Sequence, residues 1–150
     1  MHRVVPELII ENYRAGKYSG EFPAVGMFLD LSGFSTMTDV LMQHGQYGAE
    51  VLANLMHGVF DPLVESIFNY GGKIIGFAGD GIMALYPIEE DTRSVALSAL
   101  ASAWVVQRRL LANGQRRTVY GTFQFTAKIG LSLGSVSWGI LHSEDWKNAT

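Results

Sequence analysis

Apolar and polar residues follow one another along this chain in blocks that predict both strands and helices. Short apolar runs bounded by turn residues predict β-strands at residues 25–31, 73–78 and 82–86. Gly79-Asp80-Gly81 predicts a hairpin between the last two. Apolar residues at helical spacing predict helices over the ranges 7–14, 34–43, 51–68 and 92–113.

Three local features refine these predictions. Asp61-Pro62 lies inside the third helical run, so we expect a kink or restart there, with Asp61 as the N-cap. Residues 123–133 and 135–141 alternate well enough for two strands, which we expect to form a hairpin across Gly134. The segment through Gly16, Ser19, Gly20 and Pro23 is predicted to be a loop.

The resulting element order, β-α-α-β-β-α-β-β after a short N-terminal helix, indicates an α+β fold. We expect an antiparallel-rich sheet with helices packed on one face. Residues 1–24 would form an N-terminal helix and loop, and residues 25–150 the main domain.

Composition narrows the class of protein. The 150 residues are 48% hydrophobic and 17% charged, which is typical of a folded domain. The formal net charge of -3 argues against a nucleic-acid binder, and the absence of cysteine favours a cytoplasmic location. Residues 95–106 form the longest apolar stretch, which we interpret as a buried helix rather than a membrane span. Core candidates within and beyond it are Val95, Ala99, Leu100, Ala103, Trp104, Leu110 and Leu111.

Two acidic residues carry the candidate chemistry. Asp30 interrupts an otherwise apolar strand, where an unpaired buried carboxylate would be costly. Asp80 lies at the tip of the predicted hairpin, which would be a neighbour of the first strand. Two converging carboxylates together with phosphate oxygens suit Mg²⁺ and two-metal phosphoryl transfer. The alternative for Asp80 is a purely structural turn aspartate.

Asp30 is followed directly by a glycine-containing turn that runs into a helix at residues 31–36. Free backbone N–H groups at a helix start attract phosphate. Alternatively, Ser32 or Ser35 serves only as an N-cap. Both can hold together.

Three stretches resemble the catalytic domains of class III adenylyl and guanylyl cyclases. FLDLSGFSTMT at residues 28–38 is similar to their first metal motif, and GGKIIGFAGDGIMA at residues 71–84 to their second. AKIGLSLG at residues 127–134 is similar to the strand that follows. The likeness is greatest to the first catalytic domain of bicarbonate-responsive soluble adenylyl cyclases and their bacterial relatives.

The resemblance implies a role for each matching residue. Asp30 and Asp80 would bind two Mg²⁺ or Mn²⁺ ions, and the Leu31 carbonyl would complete one ion's shell. Lys128 would reach the terminal phosphate. The backbone around the two motifs would cradle the remaining phosphates of the nucleotide, through Ser32, Gly33, Phe34, Ser35, Thr36 and Gly79.

The family's reaction would convert ATP, in preference to GTP, to the cyclic nucleotide and pyrophosphate, in signal transduction. Family sites form between two cyclase domains, so a second domain is the expected partner, with neither nucleic acid nor membrane. The alternative is an inactive cyclase-homology module that binds nucleotide or a regulatory partner.

This sequence departs from the family pattern at two places. Gly76 stands where relatives carry a lysine that reads the base or binds bicarbonate, and strand alternation predicts that Lys73 points to the opposite face. Residues 143–150 do not resemble the strand and helix that follow in the family. We therefore expect the C-terminal part of the domain to be missing from this sequence.

Overall fold

The computed structural model describes residues 7–140, which form four helices and six strands. Their order along the chain is α1 (Glu7–Arg14), β1 (Ser19–Ser32), α2 (Phe34–Met42), α3 (Gly45–Asn69), β2 (Lys73–Ala78), β3 (Gly81–Pro87), α4 (Thr92–Asn113), β4 (Gln115–Thr118), β5 (Gly121–Gln124) and β6 (Thr126–Gly139).

The main sheet is antiparallel and has the strand order β2-β3-β1-β6. Strands β4 and β5 form a separate two-stranded ribbon. Helices α3 and α4 contact each other and the main sheet. The predicted α+β fold is confirmed, as is the pairing of the first strand with the hairpin.

Strand β1 shows why the helices cover only one face of the sheet. Val25, Met27 and Leu29 are buried, whereas Phe28 between them is exposed and Asp30 is partly exposed. Successive side chains of a strand point to opposite faces, so the apolar set faces the helices. Asp30 therefore belongs to the sheet face that no helix covers, which we call the open face.

The covered face encloses a single hydrophobic core with a short polar chain inside it. The Tyr86 hydroxyl donates to Ser102 Oγ at 2.8 Å, and Ser102 Oγ in turn lies 3.4 Å from the Ser66 carbonyl oxygen, to which it donates. Because buried hydroxyls need partners, this chain fixes the relative positions of β3, α4 and α3.

The predicted restart at Pro62 is wrong. Helix α3 runs unbroken from Gly45 to Asn69 with Pro62 inside it, so Asp61 is not an N-cap. Proline removes the N–H that would bond the carbonyl four residues earlier, that of Gly58. Arg116 Nη2 donates to that carbonyl oxygen instead, at 3.0 Å.

The predicted hairpin across Gly134 is also wrong. Strand β6 is continuous and pairs with β1 from Thr126 to Gly139, and Gly134 lies opposite Ala24 within this ladder. The range 123–133 is split, because Phe123 belongs to β5. The predicted loop near Pro23 is likewise strand, since β1 begins at Ser19.

Helix α4 begins and ends as predicted. The Asp91 side chain caps it by accepting a hydrogen bond from the Arg93 backbone N–H at 3.0 Å. The predicted core side of this helix is only partly right. Ala99, Ala103 and Leu110 are buried, but three of the expected core residues are exposed: Leu100, Trp104 and Leu111.

Candidate functional site

Strand register places the two acidic residues of the metal motifs at the same end of the open face. Asp30 lies directly opposite Gly81 in the β1–β3 ladder, and Asp80 is the residue before Gly81. Asp80 occupies the turn between β2 and β3. Gly79, the first turn residue, has φ 62°, as a type II′ hairpin turn requires.

The backbones pack closely where the two motifs meet. A Cβ added to Gly81 would lie 3.1 Å from the Ala78 carbonyl oxygen and 3.2 Å from the Phe28 ring. A larger residue at this position would push the hairpin away from β1. Gly81 thus allows the turn that carries Asp80 to approach the strand that carries Asp30.

Both carboxylates are available for a ligand. Asp30 and Asp80 are partly buried. Across residues 7–140, neither makes a side-chain hydrogen bond or an ion pair. Within the same range, no three His, Asp or Glu residues converge as a complete metal-binding cluster. The donor set therefore fits an Mg²⁺-like ion that takes its remaining oxygens from backbone and from a bound phosphate.

Helix α2 begins at Phe34, two residues after β1 ends at Ser32. Gly33 is the N-cap residue, with φ 100°, and no side chain caps the helix. The alternative in which Ser32 or Ser35 serves as the N-cap is therefore wrong. The N–H groups of the first helical turn have no intrahelical acceptor. Phe34, Ser35 and Thr36 thus present backbone donors beside Leu31 and Asp30.

Lys128 lies on β6 directly opposite Asp30 in the β1–β6 ladder. Residues paired across adjacent strands share a face, so Lys128 is on the open face, where it is exposed. One cation and two carboxylates consequently share this end of the sheet.

A β-bulge overturns the prediction that Lys73 and Gly76 face opposite ways. Lys73 pairs with Leu85 and Gly76 with Met83, with the register shift between Ile74 and Gly76. Leu85 and Met83 are two residues apart on β3 and share a face, so Lys73 and Gly76 share it too. Counting alternate positions assigned Lys73 to the wrong face, because a bulge adds one residue to the strand without any turn signal in the sequence.

Met83 takes up part of the space that a side chain at position 76 would use. A Cβ built on Gly76 would lie 3.3 Å from the Met83 terminal methyl. The same methionine helps line a shallow apolar depression of about 420 Å³ in the middle of the open face, with Gly26, Met27, Phe28, Ile75, Ala84, Leu85, Gly130, Leu131 and Ser132.

Comparison with known proteins identifies relatives in sequence and in structure, although no protein-family model matches the chain. Adenylate cyclase type 10 of Rattus norvegicus is 28% identical over 150 residues, which cover 93% of this chain and 9% of the relative. The chain thus spans under a tenth of the length of that protein.

Solved structures share the fold. A bacterial light-regulated adenylyl cyclase matches with a TM-score of 0.67 and 22% identity, over 93% of this chain and 39% of the other. The guanylyl cyclase Cya2 matches with a TM-score of 0.66 and 28% identity, over 85% of this chain and 61% of the other. The chain is a homologue of the adenylyl and guanylyl cyclases and has the fold of a class III cyclase catalytic domain.

Proposed function

We propose that this chain supplies the metal-binding half of a purine nucleotidyl cyclase site, with ATP favoured over GTP. One observation carries the proposal. The β1–β3 register brings Asp30 beside the Asp80 turn, at the point where β1 leads into the uncapped start of α2. Carboxylates for cations and free N–H groups for phosphate thus meet at one end of the open face.

Each group has a distinct part in holding the nucleotide. Asp30, Asp80 and the Leu31 carbonyl would hold two Mg²⁺ or Mn²⁺ ions. Bound there, the ions would supply the charge that activates a ribose 3′-hydroxyl toward the α-phosphate and stabilises the leaving pyrophosphate. Backbone donors of the turn around Asp80 and of the α2 start would orient the phosphates, through Ser32, Gly33, Phe34, Ser35, Thr36 and Gly79.

Lys128 lies opposite Asp30, and in this proposal it would add positive charge for the terminal phosphate. A lysine ammonium binds phosphate as a point charge and needs no fixed geometry. Its exposure leaves the side chain free to turn toward a ligand.

A second cyclase domain would complete the site. The groups described above lie at one edge of the open face, and the middle of that face is apolar and uncovered. A partner domain packed there would bury this surface and bring base-reading and transition-state residues to the nucleotide. We expect that domain to come from the same parent protein or from another subunit.

Calorimetric titration tests the half-site directly. Mn²⁺ with a non-cyclising ATP analogue is titrated into the chain and into Asp30→Asn, with Asp39→Asn as the control. Asp39 is exposed on α2, and its substitution makes the same charge change outside the site. We expect metal-dependent binding to the chain and to the control only. Equal binding by Asp30→Asn would reject the assignment.

A second candidate is an inactive cyclase-homology module that binds nucleotide or a regulatory partner. Gly76 favours it, because this position carries no base-reading side chain and the Met83 methyl lies only 3.3 Å from where the Cβ of one would be. Cyclase activity of the full-length parent protein distinguishes the two. Activity that is lost on Asp80→Asn supports the enzyme, whereas a parent protein without activity supports the module.

A further inference from the structure

The β4–β5 ribbon touches helix α2 at both of its ends. At the N-terminal end, the Gln124 carbonyl oxygen lies directly against Gly33, where an added Cβ would collide with it. Just beyond the C-terminal end, the Tyr120 ring stacks on the His44 ring, with centroids 4.0 Å apart and planes 18° from parallel. Tyr120 comes directly before β5 and Gln124 ends it, so this one strand brackets the helix.

The lengths of the two elements match this arrangement. Helix α2 has nine residues, which span about 14 Å at the rise of an α-helix. The four steps from Tyr120 to Gln124 span about 13 Å at the rise of a strand. His44 is tied to the end of the helix, because its N–H donates to the Leu41 carbonyl oxygen at 3.0 Å. A short strand can therefore hold α2 at both ends.

Hydrogen bonds fix the ribbon at the two places where it meets α2. The Tyr120 N–H donates to Thr118 Oγ1 at 3.0 Å, and that hydroxyl donates to the Gly121 carbonyl oxygen at 3.1 Å. Directly after β5, the Phe125 N–H donates to the Gly114 carbonyl oxygen at 2.8 Å. None of these bonds involves α2, so the ribbon is a support whose shape does not depend on that helix.

We propose that Tyr120 is a positioning residue for the turn at the start of α2. The proposal rests on the proposed function, in which the backbone N–H groups of residues 34–36 bind phosphate. The Gln124 carbonyl limits the helix at its start, and the stack of Tyr120 on His44 holds its far end. Together the two contacts fix α2 along its own axis. A displacement of about 1 Å is enough to weaken oriented contacts with a ligand strongly.

The carboxylates of the candidate site are held by a different part of the fold. Asp30 and the turn that carries Asp80 are fixed by the β1–β3 ladder, and the ribbon is not part of that sheet. Loss of the stack should therefore disturb the phosphate donors and leave the carboxylates in place. This separation distinguishes positioning of the turn from a general loss of structure.

Hydrogen exchange of the chain without nucleotide tests the positioning itself. The first hydrogen bond of α2 joins the Met37 N–H to the Gly33 carbonyl oxygen, at 3.3 Å. We expect Tyr120→Leu, which keeps apolar bulk but loses the stacked ring, to speed exchange at residues 37–41 roughly tenfold. Amides of β1 and β3 should keep their rates. Unchanged exchange at residues 37–41, or an equal rise in β1 and β3, overturns the proposal.

Two further variants show whether the stack is the cause. Tyr120→Phe keeps the ring and should exchange like the original chain. His44→Ala removes the other half of the stack and should reproduce the effect of Tyr120→Leu. Because both substitutions remove one shared contact, the double variant should add little to either one. Effects that simply add would contradict a role through the stack.

Calorimetric titration of Mn²⁺ with a non-cyclising ATP analogue tests the consequence for the ligand. Tyr120→Leu should weaken binding roughly tenfold, and Tyr120→Phe should bind like the original chain. Tyr86→Phe is the matched control, because it removes a core hydroxyl that donates to Ser102, away from the ribbon. Its affinity should be unchanged.

The outcomes separate this proposal from the proposed function. Binding that Tyr120→Leu leaves unchanged, or that Tyr86→Phe weakens equally, overturns the role of Tyr120 while the half-site stands. An original chain that binds no nucleotide rejects the half-site, and the exchange at residues 37–41 then decides alone whether Tyr120 positions the turn.

Discussion

Arg116 on β4 donates to the Gly58 carbonyl oxygen at 3.0 Å, and Gly58 is the residue whose helical donor Pro62 removes. A side chain distant in sequence thus replaces the hydrogen bond that proline takes from α3. The replacement explains how α3 continues without a break through a position that normally ends a helix. It also ties the β4–β5 ribbon to α3.

We expect Arg116→Ala to lower the free energy of unfolding by about 1 kcal/mol, because the Gly58 carbonyl loses its donor. In a Pro62→Ala background the loss should be smaller, since residue 62 then supplies an N–H to the same oxygen. Urea denaturation of the original chain, the two single variants and the double variant measures the coupling between the two substitutions. Arg117→Ala, which removes an exposed neighbouring arginine, should have little effect; equal losses in both backgrounds would contradict the compensation.

The elements that local signals define could be predicted from sequence, and those that distant contacts define could not. The β2–β3 hairpin and the bounds of α4 are set by local signals, and both predictions are confirmed. The continuity of α3 depends on Arg116, which is more than fifty residues from Pro62. Likewise, β6 continues through Gly134 because β1 pairs with it on both sides of that glycine.

Gly33→Ala should destabilise the protein by about 2 kcal/mol or more. Gly33 has φ 100°, and an added Cβ would collide with the Gln124 carbonyl oxygen. Gly130→Ala is the matched control: nothing lies within 4 Å of its added Cβ, and no positive φ is involved. Thermal or urea unfolding should show a loss for the first and little change or a gain for the second. Equal stability of the two variants would refute the steric argument.

Burial raises the pKa of Tyr86 above its ordinary value of 10.0, and the Ser102 hydrogen bond partly offsets the rise. The folded state therefore favours the neutral phenol. Its contribution to stability is complete below about pH 10 and is lost as pH rises through the raised folded pKa.

We expect Tyr86→Phe to cost about 1 kcal/mol at neutral pH, because Ser102 loses a partner. The difference from the original chain should stay constant below about pH 10 and shrink as pH rises above it, through the raised folded pKa, where the tyrosine's contribution is lost. Urea denaturation on both sides of about pH 10 measures it, and the subtraction removes the titration of other tyrosines and lysines. A difference that does not depend on pH would show that Tyr86 does not titrate in this way.

In the candidate site, too, features set by local signals could be predicted from the sequence and features set by distant contacts could not. The acidic residues and the α2 start could be identified because they stand out locally: an acid in an apolar strand, and a glycine turn before a helix. The side of the sheet on which Lys73 lies could not, since the bulge at Ile75 is invisible to a count of alternate positions. The exposure of Leu100 and Trp104 was also missed, because a helical stripe does not show which side meets the sheet.

Lys128→Met tests whether the lysine opposite Asp30 serves the nucleotide or is only a solvated strand residue. If the ammonium reaches the terminal phosphate, affinity for a Mn²⁺-bound ATP analogue should fall roughly tenfold, which corresponds to about 1.4 kcal/mol. Affinity for Mn²⁺-ADP should change much less, because the terminal phosphate is absent. Lys17→Met, at an exposed lysine outside the sheet, controls for the loss of one positive charge. An equal loss for both nucleotides would place Lys128 nearer the inner phosphates or the metal-bound carboxylates, and no loss for either would make it a solvated residue.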